Sequence, residues 1–121
     1  MRCGIDIVQI SRIEDMACRH ERSLSRFFTS DELQYCRQRQ HQRYASMAGI
    51  FAAKEALFKT LGTGFRQGKW TDVEIRHTAL GAPVFLLHGY YKQAVAEIGK
   101  SEPAVSISHD GDYAIAQVVI E

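Results

Sequence analysis

The chain has 121 residues, of which 45% are hydrophobic and 24% are charged, and we expect residues 1–121 to form one compact globular domain. Its 15 Lys and Arg residues and 14 Asp and Glu residues give a net charge of +1, which disfavours a nucleic-acid partner bound through an extensive basic surface. No apolar run approaches the roughly 20 residues that a membrane span requires, and the N-terminal residues lack a signal-peptide layout, so we expect a cytoplasmic protein with no membrane partner.

Five segments are rich in β-branched residues or alternate apolar with polar residues, which predicts strands. They cover residues 2–8, 70–77, 84–87, 104–108 and 113–120. In the first segment, Ile5 and Ile7 fall on one face of the predicted strand and Asp6 falls on the other. The Asp110-Gly111 pair stands between the last two segments, where it predicts a hairpin.

Start and stop signals predict four helices. A Ser or Thr stands three residues before a Glu at Ser11 and at Thr29, which is the spacing of a capping box. The predicted helices cover residues 12–22, 29–38, 41–61 and 90–98, and Gly62 provides a left-handed cap for the third. Three helices thus lie together between the first strand and the remaining strands, so we expect an α+β fold with helices packed on a mostly antiparallel sheet.

Two carboxylates stand where apolar side chains are expected. A rotation of about 100° per residue puts Glu55 on the same side of the long helix as Phe51 and Phe58, and Asp6 lies within a strand. An unpaired buried charge is strongly unfavourable, so each carboxylate must be neutralised, hydrogen-bonded or bound to a metal. One interpretation is a salt bridge from Glu55 to Lys59. The other is a shared cation, because two carboxylates together with phosphate and water oxygens are the usual ligands of Mg²⁺.

Several basic groups are candidates for binding a phosphate. Lys54 and Lys59 stand on either side of Glu55, and the flexible backbone at Gly62 follows, so these groups converge where a phosphate could lie. The alternatives are a solvated pair of lysines and a plain helix terminator. His109, beside the hairpin turn, would either hydrogen-bond locally or contact a phosphate.

The first predicted helix carries a basic face. The spacing i, i+4 and i+7 places three residues on one face of this helix, namely Arg12, Met16 and Arg19. Arg22 lies at the end of the helix. Arginines steer an acidic partner and a methionine packs adaptably, so this face suits docking of an acidic amphipathic helix. The alternative is a solvated face. Acidic residues interleaved with the arginines argue against a nucleic-acid interface.

Taken together, these segments resemble the holo-acyl-carrier-protein synthase family, the small 4′-phosphopantetheinyl transferases of bacteria. The resemblance rests on Gly4-Ile5-Asp6-Ile7, on the later run Phe51-Ala-Ala-Lys54-Glu55-Ala56 with Lys59, and on the closing hairpin. It implies transfer of the 4′-phosphopantetheine arm of coenzyme A to a serine of apo acyl carrier protein, with release of adenosine 3′,5′-bisphosphate. Magnesium would assist this reaction, which supports fatty acid biosynthesis.

The resemblance also implies roles for residues at matching positions. Asp6 and Glu55 would hold magnesium against the pyrophosphate of coenzyme A, and Lys59 would contact the phosphates or protonate the leaving group; these are the three expected catalytic residues. The residues expected to bind coenzyme A are Lys59, Gly62, Pro83, Ser108, His109 and Arg43. The carrier protein is expected to dock on Arg12, Met16, Arg19 and Arg22. The family further implies a homotrimer with its active site at a subunit interface.

One position departs from the family pattern. Ile50 stands where many members carry an arginine, which removes an expected phosphate partner, and Arg43 or Lys69 are candidates to replace it. This departure motivates a second hypothesis, in which the chain is a non-catalytic module that binds coenzyme A or the carrier protein.

Overall fold

The structure, a computed structural model, describes residues 1–99 and 101–121. Its strands are β1 (Arg2–Gln9), β2 (Val73–His77), β3 (Pro83–Leu87), β4 (Ala104–Asp110) and β5 (Tyr113–Ile120). Its helices are α1 (Ile10–Arg19), α2 (Leu24–Phe27), α3 (Ser30–Gln38), α4 (Arg43–Thr60) and α5 (Gly89–Ile98). Within the described ranges, no helix is both long and apolar enough to cross a membrane.

The strands form two antiparallel sheets, which refines the prediction of a single, mostly antiparallel sheet. One sheet has three strands in the order β1-β5-β4, and the other is the β2–β3 hairpin. The predicted turn at Asp110-Gly111 is confirmed, since Gly111 has a φ of +60° between β4 and β5. The α+β class predicted from the sequence is therefore confirmed.

Helix α4 lies at the centre of the fold. It packs against β1, β5 and β4 on one side and against α1, α3 and β2 on the others, so its side chains are buried on every face from Met47 to Phe58 except at Glu55. The prediction of a single apolar stripe on this helix was therefore incomplete. Gly4 of β1 permits the close contact with α4, because a Cβ at this position would overlap the Ala56 carbonyl and the Thr60 hydroxyl.

The three-stranded sheet turns an apolar face outward. On β1 the predicted alternation is confirmed, but Asp6 faces inward at 9% exposure while Ile5 and Ile7 are 54% and 60% exposed. Ile7 pairs with Ile115 of β5, which is also exposed. We call Ile5, Ile7, Ile115 and the exposed Tyr113 the outer face of the sheet.

The start of the first helix and the start of the second strand differ from the prediction. Helix α1 begins at Ile10, with Gln9 as an N-cap that makes no side-chain hydrogen bond, because the chain passes directly from β1 into the helix and Ser11 already lies inside it. Residues 70–72 form a 3-10 turn in place of the predicted start of a strand, and the Lys69 amide donates to the Asp72 carboxylate at 3.0 Å. The capping box at Thr29 is confirmed, with contacts of 3.1 and 2.8 Å to Glu32.

Candidate active site

Strand β1 and the C-terminal half of α4 bring Asp6, Glu55 and Lys59 together, and we call these three residues the carboxylate site. The ammonium group of Lys59 donates to Asp6 Oδ1 at 2.8 Å and to the Ile5 carbonyl oxygen at 3.1 Å. This hydrogen bond to Asp6 raises the pKa of Lys59 above its ordinary value. Lys59 therefore stays protonated at neutral pH beside a carboxylate that is almost fully buried.

Glu55 lies beside this pair and is half-buried. Within the described part of the chain its carboxylate accepts no side-chain hydrogen bond and forms no salt bridge. The interpretation of Glu55 as the salt-bridge partner of Lys59 was therefore wrong, because Lys59 is engaged by Asp6. Burial, and secondly the negative charge of Asp6, raise the pKa of Glu55, while Arg12 and Lys59 act in the opposite direction. The site thus holds two mutually repelling carboxylates, of which only Asp6 has an ammonium partner among residues 1–99 and 101–121.

This arrangement fits a divalent cation that is bound mainly through its substrate. Among residues 1–99 and 101–121, no group of three or more His, Cys, Asp or Glu side chains converges as a metal site. Asp6 and Glu55 can offer carboxylate oxygens, which are hard ligands of the kind that Mg²⁺ prefers. An ion held by only two carboxylates needs phosphate oxygens and water to complete its coordination.

Lys54 does not take part in the carboxylate site. Its side chain is fully buried on the other side of α4, where the ammonium group contacts Glu32 Oε1 at 2.7 Å and the Phe27 carbonyl oxygen at 2.6 Å. Both earlier interpretations of this lysine, as a phosphate ligand and as a solvated surface residue, were wrong. The reason is that α4 is buried on all sides, so position 54 faces α3 instead of solvent.

The predicted basic face lies at the edge of the carboxylate site. Arg12, Arg19 and Arg22 are exposed, and Met16 is half-buried against the core. The predicted end of this helix at residue 22 was wrong, because α1 ends at Arg19 and Arg22 lies in the 3-10 turn that follows. The Arg12 guanidinium stands 5.7 Å from the centre of the Phe51 ring, one helical turn before Glu55. Arg12 therefore lies next to the carboxylate site, where its charge acts on Glu55.

A second group of predicted residues lies elsewhere on the molecule. Pro83 and His109 line a cavity of about 180 Å³ together with Ile50. Ile50 and Lys59 are nine residues apart on α4, which corresponds to about 180° around the helix and about 13.5 Å along it. The cavity and the carboxylate site therefore face opposite sides of α4.

The structure separates the remaining expected coenzyme A ligands. Gly62 follows α4 with a φ of +85°, at the same end of the helix as Lys59. Ser108 precedes His109 on β4 and lines the outer face of the sheet beside Ile5 and Ile115. Arg43 lies over the Tyr44 ring at 4.8 Å and lines a different cavity, near the end of α1.

Among the lining residues of the Pro83–His109 cavity that were not anticipated from the sequence, three carry an aromatic ring or a charge. They are Tyr35, Arg39 and His77. We call the site formed by these residues with Ile50, Pro83 and His109 the His109 cavity. Tyr35 and Arg39 do have helical i, i+4 spacing, but nothing in the sequence places either beside His77, because that contact depends on how β2 packs against α3.

Comparison with known proteins identifies the family to which this fold belongs. The model of the 4′-phosphopantetheinyl transferase superfamily matches residues 2–118. The holo-[acyl-carrier-protein] synthase of Moorella thermoacetica is 44% identical over 121 residues, covering 100% of this chain and 94% of that relative. The Helicobacter pylori synthase in complex with coenzyme A superposes with a TM-score of 0.84 at 35% identity, covering 98% of this chain and 99% of that chain. The Neisseria meningitidis synthase gives a TM-score of 0.87 at 33% identity, covering 99% and 97%. The chain therefore belongs to the 4′-phosphopantetheinyl transferase superfamily.

Proposed function

We propose that this chain is a holo-acyl-carrier-protein synthase, which transfers the 4′-phosphopantetheine arm of coenzyme A to a serine of apo acyl carrier protein. The reaction breaks the pyrophosphate bond of coenzyme A and forms a phosphodiester to the serine oxygen, so adenosine 3′,5′-bisphosphate leaves. The observation that carries the proposal is the carboxylate site, in which Asp6 and Glu55 stand beside the Lys59 ammonium group. Two acids and one fixed cation suit a pyrophosphate bound through a divalent ion.

The residues of the carboxylate site would bind and orient the pyrophosphate. Asp6 and Glu55 would hold Mg²⁺, which, when bound, would neutralise the phosphate oxygens and polarise the phosphorus towards attack. Lys59 would contact the phosphates or protonate the leaving group, and its raised pKa keeps the ammonium group charged at neutral pH. The chain thus supplies mainly positioning and charge neutralisation, as is usual for phosphoryl transfer.

The serine hydroxyl must lose its proton as it attacks. Glu55 is the candidate acceptor, either directly or through a water that it or Asp6 holds. Burial raises the pKa of Glu55 in the site without metal, and a bound cation would act in the opposite direction.

Docking of the carrier protein is proposed on Arg12, Met16, Arg19 and Arg22. This face would attract an acidic helix electrostatically. The position of Arg12 beside Phe51 supports the proposal, because a carrier bound there would present its serine next to Glu55.

We further propose that the active site is completed by a second copy of the chain, within a homotrimer. The pyrophosphate would be bound by the carboxylate site, and the candidates for binding the nucleotide are Pro83 and His109. These two groups of residues face opposite sides of α4. A neighbouring copy could bring its His109 cavity to the carboxylate site of the first. The exposed isoleucines of the outer face support self-association, because a contiguous apolar patch is commonly an interface.

The proposed activity is tested by the intact mass of apo acyl carrier protein after incubation with this protein, coenzyme A and Mg²⁺, with and without a chelator. A mass gain of one phosphopantetheine that disappears with chelator is the expected result. Binding of coenzyme A without any mass gain would overturn the proposal in favour of a non-catalytic binding module.

A further inference from the structure

Lys54 carries a buried charge that takes no part in the proposed reaction. Its side chain and that of Glu32 are both fully buried, and Lys54 Nζ donates to Glu32 Oε1 at 2.7 Å. The same nitrogen donates to the backbone carbonyl oxygens of Phe27 at 2.6 Å and of Trp70 at 3.4 Å. A lysine ammonium group has only N–H donors and no acceptor, so it is well matched to one carboxylate and two carbonyl groups. Lys54 therefore ties α4 to α2, to α3 and to the 3-10 turn at residues 70–72.

Glu32, the charged partner of Lys54, is held by other elements as well. Its Oε1 accepts a second hydrogen bond from the Thr29 amide at 2.8 Å, and its Oε2 accepts one from the Ile75 amide at 2.8 Å. Buried polar groups that all have partners form rigid networks. The ammonium group of Lys54 is thus a fixed anchor for the two carbonyl groups that it binds.

The two residues that are anchored by their carbonyl groups, Phe27 and Trp70, place their rings beside Phe51. Trp70 stacks on Phe51 with ring centres 5.0 Å apart and planes 16° apart. Phe27 packs edge-on against both of these rings, with centre distances of 5.6 Å to Phe51 and 5.0 Å to Trp70. The Arg12 guanidinium lies 5.7 Å from the centre of the same Phe51 ring. Phe51 thus connects the anchor at Lys54 to the basic face of α1.

Phe27 and Trp70 also line an open cavity of about 610 Å³, together with Phe65. Arg26 and Lys69 supply the charged groups of its lining, and no carboxylate among the described residues contributes to it. Neither of these cations forms a salt bridge within residues 1–99 and 101–121. Apolar rings next to free cations repeat the chemistry of the basic face, so an acidic amphipathic partner suits both surfaces.

The anchor at Lys54 and the carboxylate site lie on different sides of α4. Lys54 and Lys59 are five residues apart, which corresponds to about 140° around the helix. The hydrogen bond from Lys59 to Asp6 fixes the carboxylate site without any contribution from Lys54. Loss of the anchor is therefore expected to disturb the surface for the carrier more than the site for the pyrophosphate.

We propose that Lys54 is a positioning residue for carrier docking, because its ammonium group holds Phe27 and Trp70 in the arrangement that the carrier protein recognises. The inference rests on the proposed function, since it names a residue that shapes the docking surface from within. Lys54 itself is fully buried, so it acts only through the two residues that it anchors. Those residues in turn support Phe51, on which Arg12 of the basic face lies.

The test uses a double variant, Lys54→Met with Glu32→Gln, which removes both charges of the buried pair and leaves no unpaired ion. Replacing both members of such a pair is often tolerated, whereas the Phe27 and Trp70 carbonyl groups lose their donor. Transfer is measured against the concentration of apo carrier protein and, separately, against that of coenzyme A. The KM for the carrier is expected to rise by about 3- to 30-fold, while the KM for coenzyme A stays at its wild-type value.

Fluorescence reports the position of Trp70 directly, because Trp70 is the single tryptophan of the chain. In the double variant its emission is expected to move to longer wavelength, since a ring that is no longer anchored is more exposed to water. Ile120→Ala is the matched control for lost stability. It removes buried side-chain atoms from β5, in the three-stranded sheet and outside the contacts of Lys54, and the resulting cavity destabilises the fold. This control is expected to keep the wild-type emission and both wild-type KM values.

A single variant tests the same relay with the buried ion pair intact. Trp70→Leu removes one of the two rings that Lys54 anchors, so it is expected to raise the KM for the carrier selectively as well. This variant keeps the inference testable if the double variant does not fold.

A wild-type KM for the carrier in the folded double variant, or in Trp70→Leu, would overturn the inference. An equal rise in both KM values, or the same effect in Ile120→Ala, would also overturn it, because either result indicates a general loss of structure. Calorimetry with apo carrier protein gives the same comparison without turnover, so failure of the proposed function is separable. Carrier affinity that depends on Lys54 without any transfer would remove only the transferase assignment, and transfer that is indifferent to Lys54 would remove only its positioning role.

Discussion

Lys59 donates a hydrogen bond to the carboxylate of Asp6 on β1, at 2.8 Å, and makes none to Glu55, although Glu55 stands one turn earlier on the same helix. An i, i+4 pair on a helix is stabilised by only a few tenths of a kcal/mol, so a nearly buried carboxylate across the gap competes successfully for the ammonium group. As a result, Lys59 does not occupy the carboxylate oxygens of Glu55, which can bind a ligand. The carboxylate site therefore combines an ion pair that fixes the geometry with a second acid that can bind a ligand.

The raised pKa of Glu55 has a consequence for stability. The pKa of Glu55 is raised above its ordinary value of 4.5, so above pH 4.5 the folded chain retains a proton that the unfolded chain releases. Stability then falls as the pH rises through the raised pKa. Without Mg²⁺ and coenzyme A, Glu55→Gln should have a higher free energy of unfolding than the wild type at pH 8, and the difference should vanish near pH 4. Urea unfolding at the two pH values measures this, and equal stabilities at pH 8 would contradict it.

The buried pair between Lys54 and Glu32 is expected to hold α4 against α3. Lys54→Met would leave the Glu32 carboxylate buried without its ammonium partner, and breaking one half of a buried pair destabilises a protein by about 3–5 kcal/mol. Lys92→Met, at an exposed position of α5, should change stability by less than about 0.5 kcal/mol. Denaturant unfolding of both variants checks this prediction. A loss at Lys54 no larger than at Lys92 would show that the pair does not stabilise the fold.

Gly4 is expected to control the position of Asp6. Gly4→Ala would push β1 away from α4, because the added methyl group overlaps the Ala56 carbonyl, and overpacking of this kind costs about 1–3 kcal/mol. Because Asp6 lies two residues further along the strand, transfer activity should fall as well. Gly111→Ala introduces backbone strain at a positive φ, but the added methyl group meets no neighbouring atom. This variant should therefore have lower stability and unchanged activity. The two variants are compared by melting temperature and by kcat/KM. Full activity in a folded Gly4→Ala variant would show that Gly4 does not control the position of Asp6.

The outer face of the sheet is expected to mediate self-association. Ile7→Lys places a charge in the centre of the exposed isoleucines, and burying it would require desolvation of the ammonium group. Light scattering should therefore show a homotrimer for the wild type and smaller species for Ile7→Lys, with a parallel loss of transfer. Leu80→Lys serves as the control, since Leu80 is 98% exposed and lies outside this face. A monomeric wild type with full activity would contradict the two-copy site.

The sequence correctly predicted features of the fold that depend on residues close together in the chain. The Thr29 capping box, the left-handed Gly62 and the hairpin at Gly111 all depend on nearby residues. The alternation that separated Asp6 from Ile5 was also correct. The alternation alone could not show which face of β1 is buried, because β1 is covered by α4, which is distant in the sequence.

Contacts between residues that are far apart in the sequence could not be predicted in this way. Lys54 and Lys59 look alike on the sequence, yet one is fully buried against Glu32 and the other is 54% exposed beside Asp6. The predicted salt bridge from Glu55 to Lys59 failed for the same reason, since its competitor lies on another element. Arg39 and His77 escaped notice because they meet only when β2 packs on α3.

The Mg²⁺ dependence of transfer by metal-stripped protein tests the central claim most directly, that Asp6 and Glu55 hold the ion on which transfer depends. Rates are measured against Mg²⁺ concentration for the wild type, Asp6→Asn, Glu55→Gln and the distant control Lys92→Met. The wild type and Lys92→Met should be inactive without the ion and saturate as it is added, whereas each carboxylate variant should lose at least about 100-fold in rate at the same Mg²⁺ concentration. Near-normal, saturable activity in folded Asp6→Asn or Glu55→Gln would contradict the account.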